Sequence, residues 1–76
     1  MVDNGYVVGT KQVKRALSKN QVMKVYLAED ANSSLVNEIK ILCDEHGVEV
    51  EFIDKMKRLG EMYNIEVKAA SVAILK

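Results

Sequence analysis

The sequence predicts an α/β fold in which a sheet is sandwiched between helices, and three observations predict it. Short runs of β-branched and aromatic residues alternate along the chain with stretches whose apolar residues recur at helical spacing. Glycines and short polar residues separate the two kinds of stretch. No proline occurs anywhere, so no candidate strand is barred from a sheet interior on that ground. Elements that alternate in this way bury their apolar sides against one another as layers, here a three-layer α/β/α sandwich. With 76 residues the chain has room for one domain, spanning 1–76.

Tyr6, Val7 and Val8 make a first short strand closed by Gly9. Val13, Ala16 and Leu17 then recur as one helical stripe, with Gly9 or Thr10 as the cap. Lys19, Asn20 and Gln21 break the pattern. Val22 to Ala28 reads as a core strand buried on both faces, with Lys24 near its edge. Asn32 and Ser33 are N-cap candidates for a helix carrying Leu35, Val36, Ile39, Leu42, Cys43 and His46 until Gly47 stops it. Val48 to Ile53 alternates with Glu49 and Glu51 as a strand wetter on one face, and Asp54 is placed to cap the next helix. That third helix is expected from about Lys55 to Tyr63, with Met56, Leu59 and Tyr63 as its stripe and Asn64 as its left-handed C-cap. Ile65 to Lys68 reads as a loop before a last strand, Ser71 to Leu75.

Composition narrows the function. The lone cysteine, Cys43, cannot close an internal disulfide, no secretory leader pattern opens the chain, and no apolar run approaches the ~20 residues of a spanning helix. The expectation is a cytoplasmic protein without a membrane partner. Net charge is zero, which by itself argues against a polyanionic ligand. Its distribution does not. Residues 1–25 carry Lys11, Lys14, Arg15, Lys19 and Lys24 against Asp3 alone, whereas 26–54 carry Glu29, Asp30, Glu38, Asp44, Glu45, Glu49, Glu51 and Asp54 against Lys40. Residues 55–76 return to basic with Lys55, Lys57, Arg58, Lys68 and Lys76 against Glu61 and Glu66. Folding that brought the two basic thirds together would leave the acidic third apart.

Catalytic chemistry finds little to work with. Gly5, Gly9, Thr10 and Lys11 imitate a phosphate loop, but three residues separate the glycines and Gln12 follows the lysine, which departs from the nucleotide-binding spacing. Cys43 and His46 lie three apart on one helix, a spacing that suits a metal or an activated thiol but more commonly a core cysteine and a surface histidine in the last turn. The adjacent acids Glu29-Asp30 and Asp44-Glu45 read as solvated, because neighbouring helical residues do not face each other. No enzyme, cofactor or metal site is expected. The more informative feature is the first helix start, where Lys11 and Arg15 share a face beside Gln12 and the helix amides point outward. Spacing alone favours a plain solvated face opposite Val13, Ala16 and Leu17.

At these residues the sequence resembles the ribosomal protein L-seven-Ae family, and in particular its small bacterial members. Gly9-Thr10-Lys11-Gln12-Val13-Lys14-Arg15 stands in place of the family's Gly-Thr-Asn-Glu-x-x-Lys helix start. Leu27-Ala28-Glu29-Asp30-Ala31 resembles its apolar-Ala-Glu-Asp strand end, Leu59-Gly60 its Leu-Gly pair, and Ile65 to Ile74 its Ile-Glu-Val-x-Ala-Ala-Ser-Val-Ala-Ile signature. The resemblance implies a mixed four-stranded sheet and binding to kink-turn RNA, a bent internal-loop motif with tandem sheared G·A pairs, and the protein is expected to be a monomer. It places such a protein with ribosomal or regulatory RNA, the ribosome being a candidate partner. Gly9, Thr10, Lys11, Gln12, Lys14 and Arg15 would then meet guanine edges and phosphates, and Ile65, Glu66, Val67, Lys68 and Ala69 would cover the unpaired nucleotides. Lys11-Gln12 departs from the Asn-Glu of archaeal and eukaryotic members and loses a carboxylate acceptor, which implies recognition that leans more on phosphate and salt. A protein-interaction module on the same fold is the alternative, offered by the acidic helix from Leu35 to His46.

Overall fold

The computed structural model describes residues 5–62 and 70–76. Seven elements follow in the order β1 (Tyr6–Val8), α1 (Thr10–Ser18), β2 (Val22–Ala28), α2 (Ser33–Glu45), β3 (Glu49–Ile53), α3 (Met56–Met62) and β4 (Ser71–Leu75). The strands form one mixed sheet in the order β1-β4-β2-β3. β2 and β3 run parallel, while β4 is antiparallel to both β1 and β2. Parallel neighbours require a crossover, and α2 provides it.

Alternate strand residues feed two cores. On one side Val25, Leu27 and Ala73 pack with Val13, Ala16 and Leu17 of α1 and with Ile39 and Cys43 of α2. On the other, Ala28 and Val72 pack with Leu59 of α3, helped by Val8, Ile53 and Met56. Two helices therefore cover one face and α3 the other, the expected α/β/α sandwich. Leu17, Leu27, Ile39 and Leu59 are fully buried, and each such side chain contributes about 1.5–3 kcal/mol through burial.

The helix ends are closed largely as the sequence suggests. The Asn32 side chain accepts from the backbone N–H groups of Ser34 at 2.9 Å and Leu35 at 3.4 Å, satisfying donors that the first turn of α2 leaves over. Gly47, at φ 66°, ends α2 in the left-handed region. Asn20 does the same for α1 at φ 57°, with the Gln21 N–H returning to the Ala16 carbonyl at 3.1 Å. Asn tolerates this conformation better than other side chains.

Three expectations change. β2 is central, but Met23 is 59% exposed, because the register with β4 slips between Val22 and Lys24. The extra residue at this bulge puts Val22 and Val25 in the same core and turns Met23 outward. Lys24 sits within the central strand rather than at a sheet edge, and it stays half exposed by pairing with Glu51 at 2.8 Å and Glu49 at 3.6 Å. The hydrogen bond to Glu51 raises its pKa. The cap of α3 is not Asp54, which pairs with Arg58, but Asp30, whose carboxylate accepts from the Met56 N–H at 2.7 Å. Asp30 is thus a structural ligand across the β2–α2 turn rather than a purely solvated acid. α1 and α3 lie on opposite faces, which separates Lys57 and Arg58 from the α1 cations, whereas the Lys76 N–H donates to the Gln21 carbonyl just past the end of α1 and Lys68 falls outside the described residues. The expectations for Tyr63, Asn64 and the Ile65–Lys68 loop fall outside the described residues.

Candidate nucleic-acid interface

α1 starts where the sheet ends. The Gly9 N–H donates to the Ser71 carbonyl at 3.1 Å, and the Ala28 N–H donates to the Ala70 carbonyl at 3.0 Å, so β1, β2 and β4 reach this end together. Gly9 is the N-cap of α1 with φ 100° and ψ 149°. That conformation is essentially reserved for glycine. It lets the chain leave β1 and enter the helix at once, and the Gly9 carbonyl accepts the first helical bond from Val13 at 2.9 Å.

The helix end so formed is electrostatically open. Among the described residues no side chain caps it, and no acidic residue lies in its first turn. The leading amides therefore keep donor capacity, and the helix dipole places about half a positive charge there. Val13, Ala16 and Leu17 turn into the core, while Lys11, Gln12 and Arg15 are exposed. The outward side of α1 thus presents the Lys11 ammonium and the Gln12 amide beside backbone donors left uncapped among the described residues, with the Arg15 guanidinium further along, in the last turn. Such a set neutralises phosphates and reads guanine O6 and N7 or other base edges.

The predicted residues do not all join this group. Lys14 lies on the flank facing α2, where it forms an ion pair with Glu38. Arg15 and Gln12 flank a shallow cleft of about 80 Å³, shared with Val7, Ala16, Lys19, Gln21 and Leu75, that runs toward the β1 edge. A space of that size holds a few waters at most, so the interface is a surface and not a pocket. Gly9 and Thr10 are half buried at the junction itself. Ile65, Glu66, Val67, Lys68 and Ala69 lie outside the described residues.

Sequence reasoning did not single out Ser71. It is fully buried beside Gly9, whose N–H its carbonyl accepts, and its Oγ has no hydrogen-bond partner among the described residues. A hydroxyl opening an otherwise apolar strand was the signal available for it. The Cys43 and His46 pair resolves plainly. Cys43 is fully buried, and desolvation pushes its thiol up to about 11, away from thiolate chemistry. His46 instead shares a 2.9 Å hydrogen bond between Nδ1 and the Asn20 Oδ1, tying the ends of α1 and α2 together. Among the described residues no cluster of His, Cys, Asp and Glu is arranged to hold a metal ion, and no helix is long and apolar enough to cross a membrane.

Known proteins share both the sequence and the fold. A protein from Caldanaerobacter subterraneus subsp. tengcongensis, named as RNA-binding, is 45% identical over 67 residues, covering 88% of this chain and 82% of its own length. The RNA-binding protein YbxF of Geobacillus stearothermophilus is 41% identical over 70 residues, covering 92% of this chain and 85% of its own. Among solved structures, the Giardia lamblia 15.5kD RNA binding protein superposes with a TM-score of 0.88 at 23% identity, over 95% of this chain and 61% of that one. A Bacillus halodurans protein of unknown function gives 0.87 at 19% identity, over 95% and 72%. At those identities the structures speak for the fold alone. The sequence profile of the ribosomal protein L7Ae/L30e/S12e/Gadd45 family matches residues 1–76, and the chain belongs to that family.

Proposed function

We propose that this chain is a non-catalytic, cytoplasmic RNA-binding protein, a single kink-turn-binding domain over residues 1–76. The observation that carries the proposal is the start of α1, a glycine-hinged helix end with neither side-chain cap nor first-turn acid among the described residues, with Lys11 and Gln12 exposed beside it and Arg15 exposed further along the helix. Relatives above 40% identity are named as RNA-binding, which supports the same reading. An ordinary A-form duplex hides its major groove from such a helix end, whereas a kinked internal loop splays it open and presents guanine edges. Lys11 and the helix amides hold phosphates there, Arg15 donates to guanine O6 or N7, and Gln12 bonds a base edge. Lys14 contributes through the charge of its flank, with Glu38 as its resident counter-ion. The 65–69 segment covers the unpaired nucleotides, its apolar side chains packing on an unstacked base.

The test is binding to a kink-turn duplex by wild type, Lys11→Ala and Arg15→Ala. Loss of a good guanine contact costs about 1–3 kcal/mol, so Arg15→Ala should weaken binding roughly tenfold or more. Lys11→Ala should reduce the slope of log affinity against log salt by roughly 0.7–0.9 if one phosphate contact is removed. Wild-type affinity in both variants would place the interface elsewhere.

A further inference from the structure

The sheet ends at β3, on the side away from β1. Among the described residues β3 is an edge strand, hydrogen-bonded to β2 on one side only, with the outer row of its backbone groups open to pairing. Beside that edge runs an open groove lined by Lys40, Ile41, Asp44, Glu45, Val48 and Val50. Ile41 is 59% exposed, and Phe52, two residues along β3 from Val50, is 39% exposed under the Lys40 ammonium. Large aliphatic and aromatic side chains next to an unpaired strand are what an added strand covers. Charge decides the kind of strand. α2 and β3 together carry Glu38, Asp44, Glu45, Glu49 and Glu51 against Lys40 alone, and Lys14 and Lys24, the cations that neighbouring elements turn toward them, pair with Glu38 and with Glu49 and Glu51. Asp44 and Glu45, at the groove itself, have no ion pair among the described residues.

We propose that the α2–β3 edge binds an extended, basic segment of a partner protein, which adds a strand to β3. One apolar side chain enters the groove against Ile41, Val48 and Val50, and flanking lysines or arginines meet Asp44 and Glu45. Edge acids alone serve to deter strand pairing, but that role does not explain the exposed Ile41 and Phe52. RNA is repelled from this edge and would be held at α1, over β1 and β4 toward the other edge of the sheet, so both ligands bind at once.

The test uses a fluorescein-labelled peptide of four Lys-Val repeats, with eight lysines and four Glu-Val repeats as controls, and nitrogen-15 labelled full-length protein. The alternating basic peptide should bind best and shift amides of Ile41, Asp44, Val48 and Val50 while leaving Lys11 and Arg15 unchanged. Ile41→Ser should weaken it by about tenfold, the loss expected when one aliphatic side chain is no longer buried, with an unchanged melting temperature because Ile41 is on the surface. Asp44→Asn with Glu45→Gln should weaken it further, and N-methylation of alternate peptide amides should abolish it. Equal binding by eight lysines, insensitivity to N-methylation, or amide shifts centred elsewhere would overturn the proposal. So would self-association in sedimentation that Ile41→Ser abolishes, since a second copy of this chain would then be the occupant. A kink-turn RNA added to the peptide complex should not displace the peptide, which separates failure here from failure of the RNA reading.

Discussion

Replacing Gly9 with alanine tests whether the start of α1 depends on a backbone conformation that only glycine adopts easily. Gly9 holds φ 100° and ψ 149°, and an L-residue forced into such a region costs about 1–3 kcal/mol. A Cβ built there meets no heavy atom of the described residues within 4 Å, so no steric clash with them adds to that cost. Alanine also narrows the unfolded ensemble, which returns about 0.4–1 kcal/mol. The net expectation is a loss of about 1–2 kcal/mol, and for a domain of this size each kcal/mol lowers Tm by about 4–8 °C. Calorimetry at neutral pH measures it directly, and chemical synthesis allows D-alanine at the same position as the control. A positive φ is natural for a D-residue, so that variant should melt at or above the wild-type temperature. Equal melting of the L- and D-alanine proteins would show that chirality at residue 9 does not matter, and the glycine requirement would fall.

Three other perturbations have defined outcomes. Asp30→Ala removes the acceptor of the Met56 N–H and should cost about 1 kcal/mol in urea denaturation, the usual worth of a helix cap, whereas Asp54→Ala, which removes only an exposed ion pair, should cost no more than a few tenths. Leu59→Ala empties the centre of the smaller core and should cost about 2–5 kcal/mol. Cys43 should resist a thiol reagent under native conditions and react only as the protein opens. Its thiol is raised from 9.0 to about 11 by burial, so its contribution to stability is fully present below pH 9 and declines as pH rises through about 11. A Cys43→Ala variant should show a flatter stability profile across that window.

The sequence carried the fold well where one rule governs one element. Helical spacing in 13–17 and 35–43, β-rich runs at 6–8, 22–28 and 71–75, and the stops at Asn20 and Gly47 are local signals, and each element appears where they place it. What escaped depends on contacts between distant residues. The Met23 bulge arises from how β4 registers against β2, which spacing within β2 does not encode. Asp30 rather than Asp54 caps α3 because the turn after β2 folds over that helix, a contact spanning 26 residues of sequence. Lys57 and Arg58 lie across the sheet from α1 because Leu59 carries α3 onto the other core, a placement that the charge pattern of the sequence does not encode. At the candidate site, Lys11, Gln12 and Arg15 were legible from helical phase, whereas the diversion of Lys14 to Glu38 required knowing that α2 packs beside α1.

Recognition of a kinked RNA by the start of α1 is met most directly by one binding comparison. The purified protein is titrated with a kink-turn duplex and with the same duplex whose tandem G·A pairs are replaced by Watson–Crick pairs, at two salt concentrations. Tighter binding to the kink-turn is expected at both, with affinity falling as salt rises. Equal, weak binding to the two RNAs would contradict kink-turn recognition.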